Sequence, residues 1–213
     1  VTNRERGTKM KQTVPYAWRE LPLLGEWDAV VVGGGSAGAS AGISSARGGC
    51  STLIIDKSIR LGGTATNALV SPMMKSFTGH RENFFDIEQQ LRRQGVTTRD
   101  EIGTKMLWFT PEALAEALET LYVAAGGQIL YDAALSDCIV QDGTIRYLVV
   151  TTVQGLCAVG GRQFVDASGD AVLARAAGAA TSHGDDNGND QMSSLRFEMG
   201  GIDVERYRAY VMG

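Results

Sequence analysis

A glycine-rich turn directly after a run of apolar β-formers constrains this chain more than any other feature. Residues 29–32 (Ala-Val-Val-Val) are typical of a buried parallel strand, and the following Gly-Gly-Gly-Ser-Ala-Gly has the spacing G-x-G-x-x-G. In such a turn Gly33 allows the sharp reversal, Gly35 lets the backbone approach a pyrophosphate, and Gly38 lets the next helix pack closely on the strand. The turn therefore predicts phosphate binding.

A second strand completes the pattern of a dinucleotide-binding unit. Ser36 and Ala37 open the predicted helix, whose free N–H groups and positive dipole end favour phosphate. The apolar residues 52–55 predict a buried strand that leads into Asp56 and Lys57, about 20 residues after the glycines, where a carboxylate can hold a ribose hydroxyl. A glycine turn alone would suit any α/β domain, but this order of elements predicts dinucleotide binding.

The composition is that of an ordinary globular protein. The chain has 213 residues, 44% of them hydrophobic and 21% charged, with a net charge of −4. No basic surface for nucleic acid and no membrane-spanning run is predicted, and residues 1–20 lack the apolar core of a signal peptide. Cys50, Cys138 and Cys157 are odd in number and form no C-x-x-C, so we expect reduced thiols and a cytoplasmic protein.

Changes in composition along the sequence divide the chain into three parts. We expect an N-terminal arm over 1–26, a nucleotide-binding domain over 27–180, and a polar linker with the start of a second domain over 181–213. After the second strand we predict an excursion over 71–110, which contains a helix at 81–94. A helix from 111 to about 126 and a strand at 128–131 follow, and then a β-meander at 135–140, 145–153 and 156–159. The last predicted elements are a strand at 162–166, a helix at 171–177 and a half-buried strand at 194–199.

Two further segments place glycines beside predicted strand ends. Residues 61–66 (Leu-Gly-Gly-Thr-Ala-Thr) carry no charge, which favours burial against a ligand over a simple crossover loop. Residues 166–170 (Asp-Ala-Ser-Gly-Asp) lie between a predicted strand and an alanine-rich helix. Both are candidates to share a site with the first glycine turn.

These three motifs, in this order, resemble those of the FAD-dependent oxidoreductases with a glutathione-reductase-like FAD-binding domain. The opening 25–35, the loop 61–66 and the turn 166–170 carry the resemblance, which extends over about residues 20–211. It implies an α/β fold: a Rossmann-like FAD-binding domain with a parallel sheet, helices and a β-meander crossover, plus the beginning of a substrate domain. It also implies FAD as cofactor instead of NAD.

The resemblance implies a role for each motif. The turn 33–38 would hold the pyrophosphate and Asp56 the adenosine ribose, although Asp is shorter than the Glu usual there. The segment 62–66 would run beside the ribityl chain and flavin ring, the backbone near Leu135 would meet the adenine, and residues 169–170 would return to the pyrophosphate and ribityl chain. The implied cofactor-binding residues are Gly33, Gly35, Ser36, Ala37, Gly38, Asp56, Lys57, Gly62, Gly63, Thr64, Ala65, Thr66, Leu135, Ala167, Gly169 and Asp170.

One departure from related flavoenzymes excludes a reaction. In flavin disulfide reductases the loop after the second strand carries two cysteines beside the flavin. Ala65 and Val70 stand at those positions here, and a dithiol relay needs two thiols within bonding distance. Thiol–disulfide chemistry through this loop is therefore excluded.

Candidates for proton transfer are few. His80 is a weak catalytic candidate, since it could overhang the flavin or simply cap the following helix. His183 lies in the polar linker, and Arg196 on the predicted strand at 194–199 could bind a substrate carboxylate or be an ordinary surface charge. The acidic linker 181–190 lacks the spacing of a calcium loop, so no metal site is predicted.

The sequence leaves two function classes open. One is a flavoenzyme that transfers hydride between a small organic substrate and FAD, and the other is a non-catalytic or accessory FAD-binding subunit. An NAD-dependent dehydrogenase is disfavoured by the β-meander and the turn at 166–170. We expect a second polypeptide, either a separate subunit or the downstream half of the same precursor, to complete the substrate domain.

Overall fold

The computed structural model describes residues 20–73, 82–95, 98–99 and 107–212 and shows a mixed α/β fold. Its elements in chain order are β1 (Leu23–Val32), α1 (Ser36–Arg47), β2 (Thr52–Ile55), α2 (Thr64–Asn67), β3 (Pro72–Met73), α3 (Glu82–Arg93), β4 (Thr98–Arg99), β5 (Leu107–Trp108), α4 (Pro111–Ala124), β6 (Gln128–Leu130), β7 (Ala134–Gln141), β8 (Thr144–Thr152), β9 (Gly155–Asp166), α5 (Val172–Ala176) and α6 (Val204–Met212). The short helix α2 was not predicted, and β1 begins at Leu23, inside the predicted arm.

A six-stranded sheet with the order β6-β2-β1-β9-β8-β7 forms the centre of the fold. β6, β2 and β1 are parallel to one another and to the second half of β9, whereas β7 and β8 add the antiparallel meander. A second, three-stranded sheet has the order β3-β5-β4. The predicted parallel sheet with a meander crossover is confirmed.

The strand β9 corrects one prediction. The predicted strands 156–159 and 162–166 are a single strand, which pairs antiparallel with β8 over 155–160 and parallel with β1 over 158–166. Gly160 and Gly161 lie where the pairing changes, and a Cβ at Gly160 would lie 2.7 Å from the Glu26 Cγ. These two glycines let neighbouring strands approach closely without breaking the strand, so they do not form a turn.

Both faces of the parallel strands are covered, which explains the continuous apolar run in β1. One core contains Val31 with residues of α1, α3 and α4, and the other contains Val30 and Val32 with residues of the meander. Tyr122 in α4 joins the first core to the sheet, because its hydroxyl donates to the carbonyls of Thr52 (2.8 Å) and Gln128 (3.1 Å). Strands buried on both faces lose the usual alternation of polar and apolar residues.

The predicted helices α3 and α4 are confirmed with nearly the expected bounds. α4 begins as the sequence indicates: Thr110 is the N-cap, its hydroxyl accepts from the Ala113 N–H (3.4 Å), and Pro111 takes the first helical position. α4 then buries Leu114, Leu118 and Leu121 against the core. Only parts of the excursion that contains α3 are among the described residues.

The predicted strand at 194–199 is wrong. These residues form no regular structure, and Leu195, Phe197 and Met199 are 89%, 70% and 64% exposed. An alternating sequence forms a strand only where another strand pairs with it, and none pairs with this segment among the described residues. The unpredicted helix α6 follows, capped by Asp203, which accepts from the Arg206 N–H (3.0 Å).

Candidate cofactor site

A cavity of about 590 Å³ lies at the carboxyl ends of β1, β2 and β9. In open α/β sheets this edge is where ligands bind. The turn after β1, the end of β2, the loop around α2, the start of β7 and the turn after β9 all contribute to its walls. Most of the predicted cofactor residues line it: Gly33, Gly35, Ser36, Ala37, Asp56, Lys57, Gly63, Thr64, Leu135, Ala167, Gly169 and Asp170.

The remaining predicted residues shape the walls and do not line this cavity. Gly38 packs the first turn of α1 on the preceding loop, and a Cβ there would lie 1.7 Å from the Gly33 oxygen. The Gly62 N–H donates to the Gly34 carbonyl (2.8 Å), which ties the loop before α2 to the glycine turn. The buried Thr66 hydroxyl donates to the Leu61 carbonyl (2.8 Å), and Ala65 packs against the core.

The turn between β1 and α1 presents backbone to the cavity. Gly35 precedes the twelve-residue helix α1, no side chain caps that helix end, and its first turn contains no carboxylate. A Cβ added at Gly35 would find only the Gly63 Cα, 3.9 Å away. The protein therefore leaves space over an uncapped helix N-terminus, the arrangement that a pyrophosphate requires.

Gly63 explains how the second glycine loop comes so close to the first. Its φ of +56° lies in the left-handed region, and a Cβ there would lie 2.8 Å from the Gly35 Cα. Only glycine permits this approach. This contact brings Gly63 beside the first glycine turn, and the course of 62–66 along the ribityl chain and flavin ring stays a prediction.

Asp56 already has partners within the chain. The carboxyl Oδ2 accepts from the Gly34 N–H, and Oδ1 accepts from the Ser58 N–H and hydroxyl, both at 2.6 Å. The residue is only 8% exposed. The carboxylate thus fixes the end of β2 against the glycine turn, and its contact with a ribose stays a prediction. Sequence reasoning missed Ser58, although a Ser two residues after an Asp is a known turn signal.

The turn between β9 and α5 is built by polar side chains. The Asp166 Oδ1 accepts from the Ser168 N–H (3.1 Å) and hydroxyl (2.6 Å), and Oδ2 accepts from the Ala174 N–H (2.9 Å). The Ser168 oxygen in turn accepts from the Val172 N–H (3.1 Å). Burial raises the pKa of Asp166, but its hydrogen bonds outweigh burial and hold the pKa below its usual range.

Left-handed backbone at non-glycine residues recurs in the loops around this cavity. Leu69 (φ +57°), Asp132 (φ +49°) and Ala171 (φ +52°) each lie next to a residue that lines it. Such a conformation costs an L-residue roughly 1–2 kcal/mol. The cavity edge is therefore held in a less favourable backbone conformation than the sheet beneath it.

The other candidate residues do not join the cavity. The exposed His183 lies 3.1 Å from Asp190, measured from Nε2 to Oδ1, and Arg196 is exposed in the irregular segment that replaces the predicted strand. His80 lies outside the described residues. Cys50, Cys138 and Cys157 form no disulfide. No helix in the described part of the chain is long and apolar enough to cross a membrane.

Solved structures with a similar fold include FAD-dependent enzymes. A geranylgeranyl bacteriochlorophyll reductase-like protein from Thermoplasma acidophilum matches with a TM-score of 0.58 at 16% identity, over 73% of this chain and 42% of that one. The myxobacterial chondrochloren halogenase CndH, an FAD-dependent halogenase, gives 0.56 at 15%, over 71% and 39%. THI4 from Thermovibrio ammonificans gives 0.52 at 19%, over 71% and 61%. The chain thus spans less than two thirds of each, and at these identities the likeness shows the fold.

The sequence itself identifies the family. No curated protein matches the chain. The family model described as FAD dependent oxidoreductase matches residues 28–213, which include every loop that lines the cavity. The open space at Gly35, the uncapped start of α1 and the two glycine loops in contact fit the nucleotide that this family binds. The chain belongs to the FAD-dependent oxidoreductase family, and its cofactor is FAD.

Proposed function

We propose that this chain is the FAD-binding part of an oxidoreductase that transfers hydride between a small organic substrate and the flavin. The observation that carries this function is the convergence of two glycine loops and a third turn on one cavity, with open space over the N-terminus of α1. FAD, when bound, supplies the hydride chemistry, and the protein supplies binding and orientation.

Different residues of the cavity would bind different parts of FAD. The backbone at Gly35 and Ser36 would bind the pyrophosphate, and Lys57 and Leu135, which also line the cavity, would contact the adenosine. Gly169 and Asp170, in the turn after β9, would contact the pyrophosphate and ribityl chain. The resemblance to the glutathione-reductase-like subclass assigns the same roles, and the subclass is part of this proposal, as is a cytoplasmic location.

An accessory, non-catalytic FAD-binding subunit is the alternative. Among the described residues, the titratable side chains that line the cavity are Asp56, which accepts from Gly34 and Ser58, Lys57 and Asp170. Hydride transfer would then depend on residues outside this part of the chain. An assay of the intact, FAD-loaded protein or complex separates the two functions: reduction of the flavin by an organic donor supports the enzyme, and a flavin that no organic donor reduces supports the accessory role.

The exposed apolar side chains of segment 191–211 favour an interface with a partner. Met192, Leu195, Phe197, Tyr207 and Tyr210 are all at least 60% exposed. Apolar side chains this exposed over one segment are typical of an interface. The occupant we propose is a second polypeptide, either a separate subunit or the downstream half of the same precursor, that contributes the substrate domain.

A visible absorption spectrum of the purified protein tests the cofactor site. We expect a flavin spectrum with FAD released on denaturation, and its loss in Gly35→Val, because the added side chain would occupy the phosphate space. Gly200→Val is the matched control, since a Cβ at Gly200 meets nothing within 4 Å and the residue lies in the exposed segment. Equal FAD content in the two variants would contradict the assignment of the cavity.

Mass spectrometry with size-exclusion chromatography tests the partner. A purified assembly that contains a second polypeptide supports it. A flavin-loaded and active species that contains this chain alone refutes it.

A further inference from the structure

A second cavity, of about 520 Å³, lies among the helices next to the cofactor site. Its walls come from α1, α2, α3, the start of α4 and β3. Several wall residues belong to the core: Ile87, Phe109, Leu114 and Leu118 are each at most 6% exposed. The cavity therefore reaches core residues between the helices, whereas Ser36 and Ser44 on its α1 side are exposed.

The walls combine an apolar lining with polar groups. Phe84, Ile87, Phe109, Leu114 and Leu118 present apolar surface, and Met73 adds a flexible thioether. The polar groups include Ser36, Ser40 and Ser44, whose spacing of four places them on one face of α1, together with Thr64 and, at the start of α3, Glu82 and Asn83. A molecule that fits such a site is largely apolar and carries a hydroxyl or carbonyl group along one side.

Two residues connect this cavity to the cofactor site. Ser36 and Thr64 line both cavities, so a molecule in the second would lie beside one in the first. The polar side of the wall is fixed in place: the Asn83 amide donates to the Ser40 carbonyl (3.1 Å) and the Ser44 hydroxyl (2.9 Å) and so holds α3 against α1. Preorganised polar groups of this kind are typical of ligand sites.

The cavity pairs an aliphatic and aromatic lining with polar groups, which is the composition of sites for small organic molecules. We propose that the cavity between α1, α3 and α4 binds a largely apolar organic molecule with a hydroxyl or carbonyl group. If the proposed function holds, this molecule is the flavin's organic substrate, and only that identification depends on the proposed function.

Titration of the FAD-loaded protein with the neutral fluorophore phenylnaphthylamine tests this site. Wild type should show saturable one-to-one binding, and Ser40→Leu, which fills the cavity from α1, should weaken it at least about tenfold. Thr120→Leu is the matched control, because Thr120 is an exposed residue of α4 outside the cavity and the variant should bind within about twofold of wild type. Absence of saturable binding in wild type, or equal affinity of the two variants, overturns the proposal.

Methyl NMR of wild type keeps the test decisive if Ser40→Leu does not fold. The probe should shift the methyl signals of Ile87, Leu114 and Leu118 and leave that of the exposed Leu195 unchanged. Shifts confined to Leu195 would mean binding to the exposed segment and would overturn the proposal. FAD content, measured in the same samples by visible absorption, reports separately on the proposed function, because Ser40 does not line the cofactor cavity.

Discussion

Two turns carry the chain from a parallel strand into a helix at the same cavity, and they are built in opposite ways. The turn from β1 into α1 uses glycines: its geometry depends on the absence of side-chain atoms at Gly33 and Gly38, whereas Gly35 leaves space open above the turn. The turn from β9 into α5 uses the Asp166 carboxylate and the Ser168 hydroxyl, which accept from five groups of the turn and helix. Adding atoms should damage the first turn, and removing atoms should damage the second.

Within the first turn, one glycine is required for folding and another leaves room for the ligand. Gly38 is surrounded by protein, whereas Gly35 faces open space. Substitutions at these two positions should therefore affect different measurements, although both belong to the same motif. The following variants test both contrasts.

Gly38→Ala should have the largest effect. The new Cβ would lie 1.7 Å from the Gly33 carbonyl oxygen and 3.2 Å from the Ala167 Cβ, so helix and loop must separate. We expect a loss of at least about 3 kcal/mol in the free energy of unfolding, or insoluble protein. Urea denaturation measures it, with Gly200→Ala as control. A variant as stable as this control would show that α1 can shift without cost.

Asp166→Asn should have the next largest effect. The substitution removes one acceptor oxygen and the charge from a group that accepts from Ser168 and Ala174, and hydrogen bonds to a charged group contribute about 1.5–3 kcal/mol each. We expect a loss of about 1–3 kcal/mol in the free energy of unfolding. Asp142→Asn, in the exposed β7–β8 turn, is the control and should change little.

The same carboxylate predicts a pH dependence. Because the pKa of Asp166 is lower in the folded than in the unfolded chain, its stabilisation is present above the unfolded pKa of about 3.9 and is lost as the pH falls through the folded pKa. The stability difference between wild type and Asp166→Asn should therefore shrink below about pH 4. A difference that stays constant from neutral to acid pH would contradict a role for the charge.

The sequence predicted the glycine turn well and the polar turn poorly, and the reason is physical. A turn or a close backbone approach requires glycine at a particular position in the sequence. The spacing of Gly33, Gly35 and Gly38 therefore predicted both the strand–turn–helix unit and its place at the cavity. The partners of Asp166 include the Ala174 N–H, eight residues away, and that contact exists only once α5 has formed. The motif 166–170 indicated a turn but not the network that holds it.

Nonlocal pairing explains the errors in the strands. Residues 194–199 alternate as a strand would, but no partner strand lies beside them in the described part of the chain. The predicted strands 156–159 and 162–166 are one strand, and the pairing of Gly160 and Gly161 with neighbouring strands is what joins them. Patterns along the chain report the local preference, whereas pairing depends on distant segments.

Ala171→Gly should increase stability, the reverse of the usual effect in a helix. Ala171 precedes α5 with φ +52° and ψ +39°, a left-handed conformation that glycine adopts without the steric cost. We expect a gain of about 1 kcal/mol, reduced by the greater freedom of glycine in the unfolded chain. Ala174→Gly, inside α5, is the matched control and should lose about 0.5–1 kcal/mol. A loss of stability in both variants would show that the turn relaxes without strain.

Gly35→Ala should have the smallest effect on stability and a large one on FAD. The backbone at Gly35 has φ −66°, which alanine adopts freely, and the nearest atom to the added methyl would be the Gly63 Cα at 3.9 Å. Alanine is a poorer N-cap than glycine but reduces the freedom of the unfolded chain, so the free energy of unfolding of the apoprotein should change by at most about 0.5 kcal/mol. The methyl projects into the space of the pyrophosphate, and overpacking of about 1–3 kcal/mol there should weaken FAD binding by about 10- to 100-fold.

Fluorescence titration of the apoprotein with FAD measures this, and Gly200→Ala should bind as wild type does. Unchanged affinity in Gly35→Ala would place the phosphates elsewhere, whereas a variant as unstable as Gly38→Ala would remove the distinction between the two glycines.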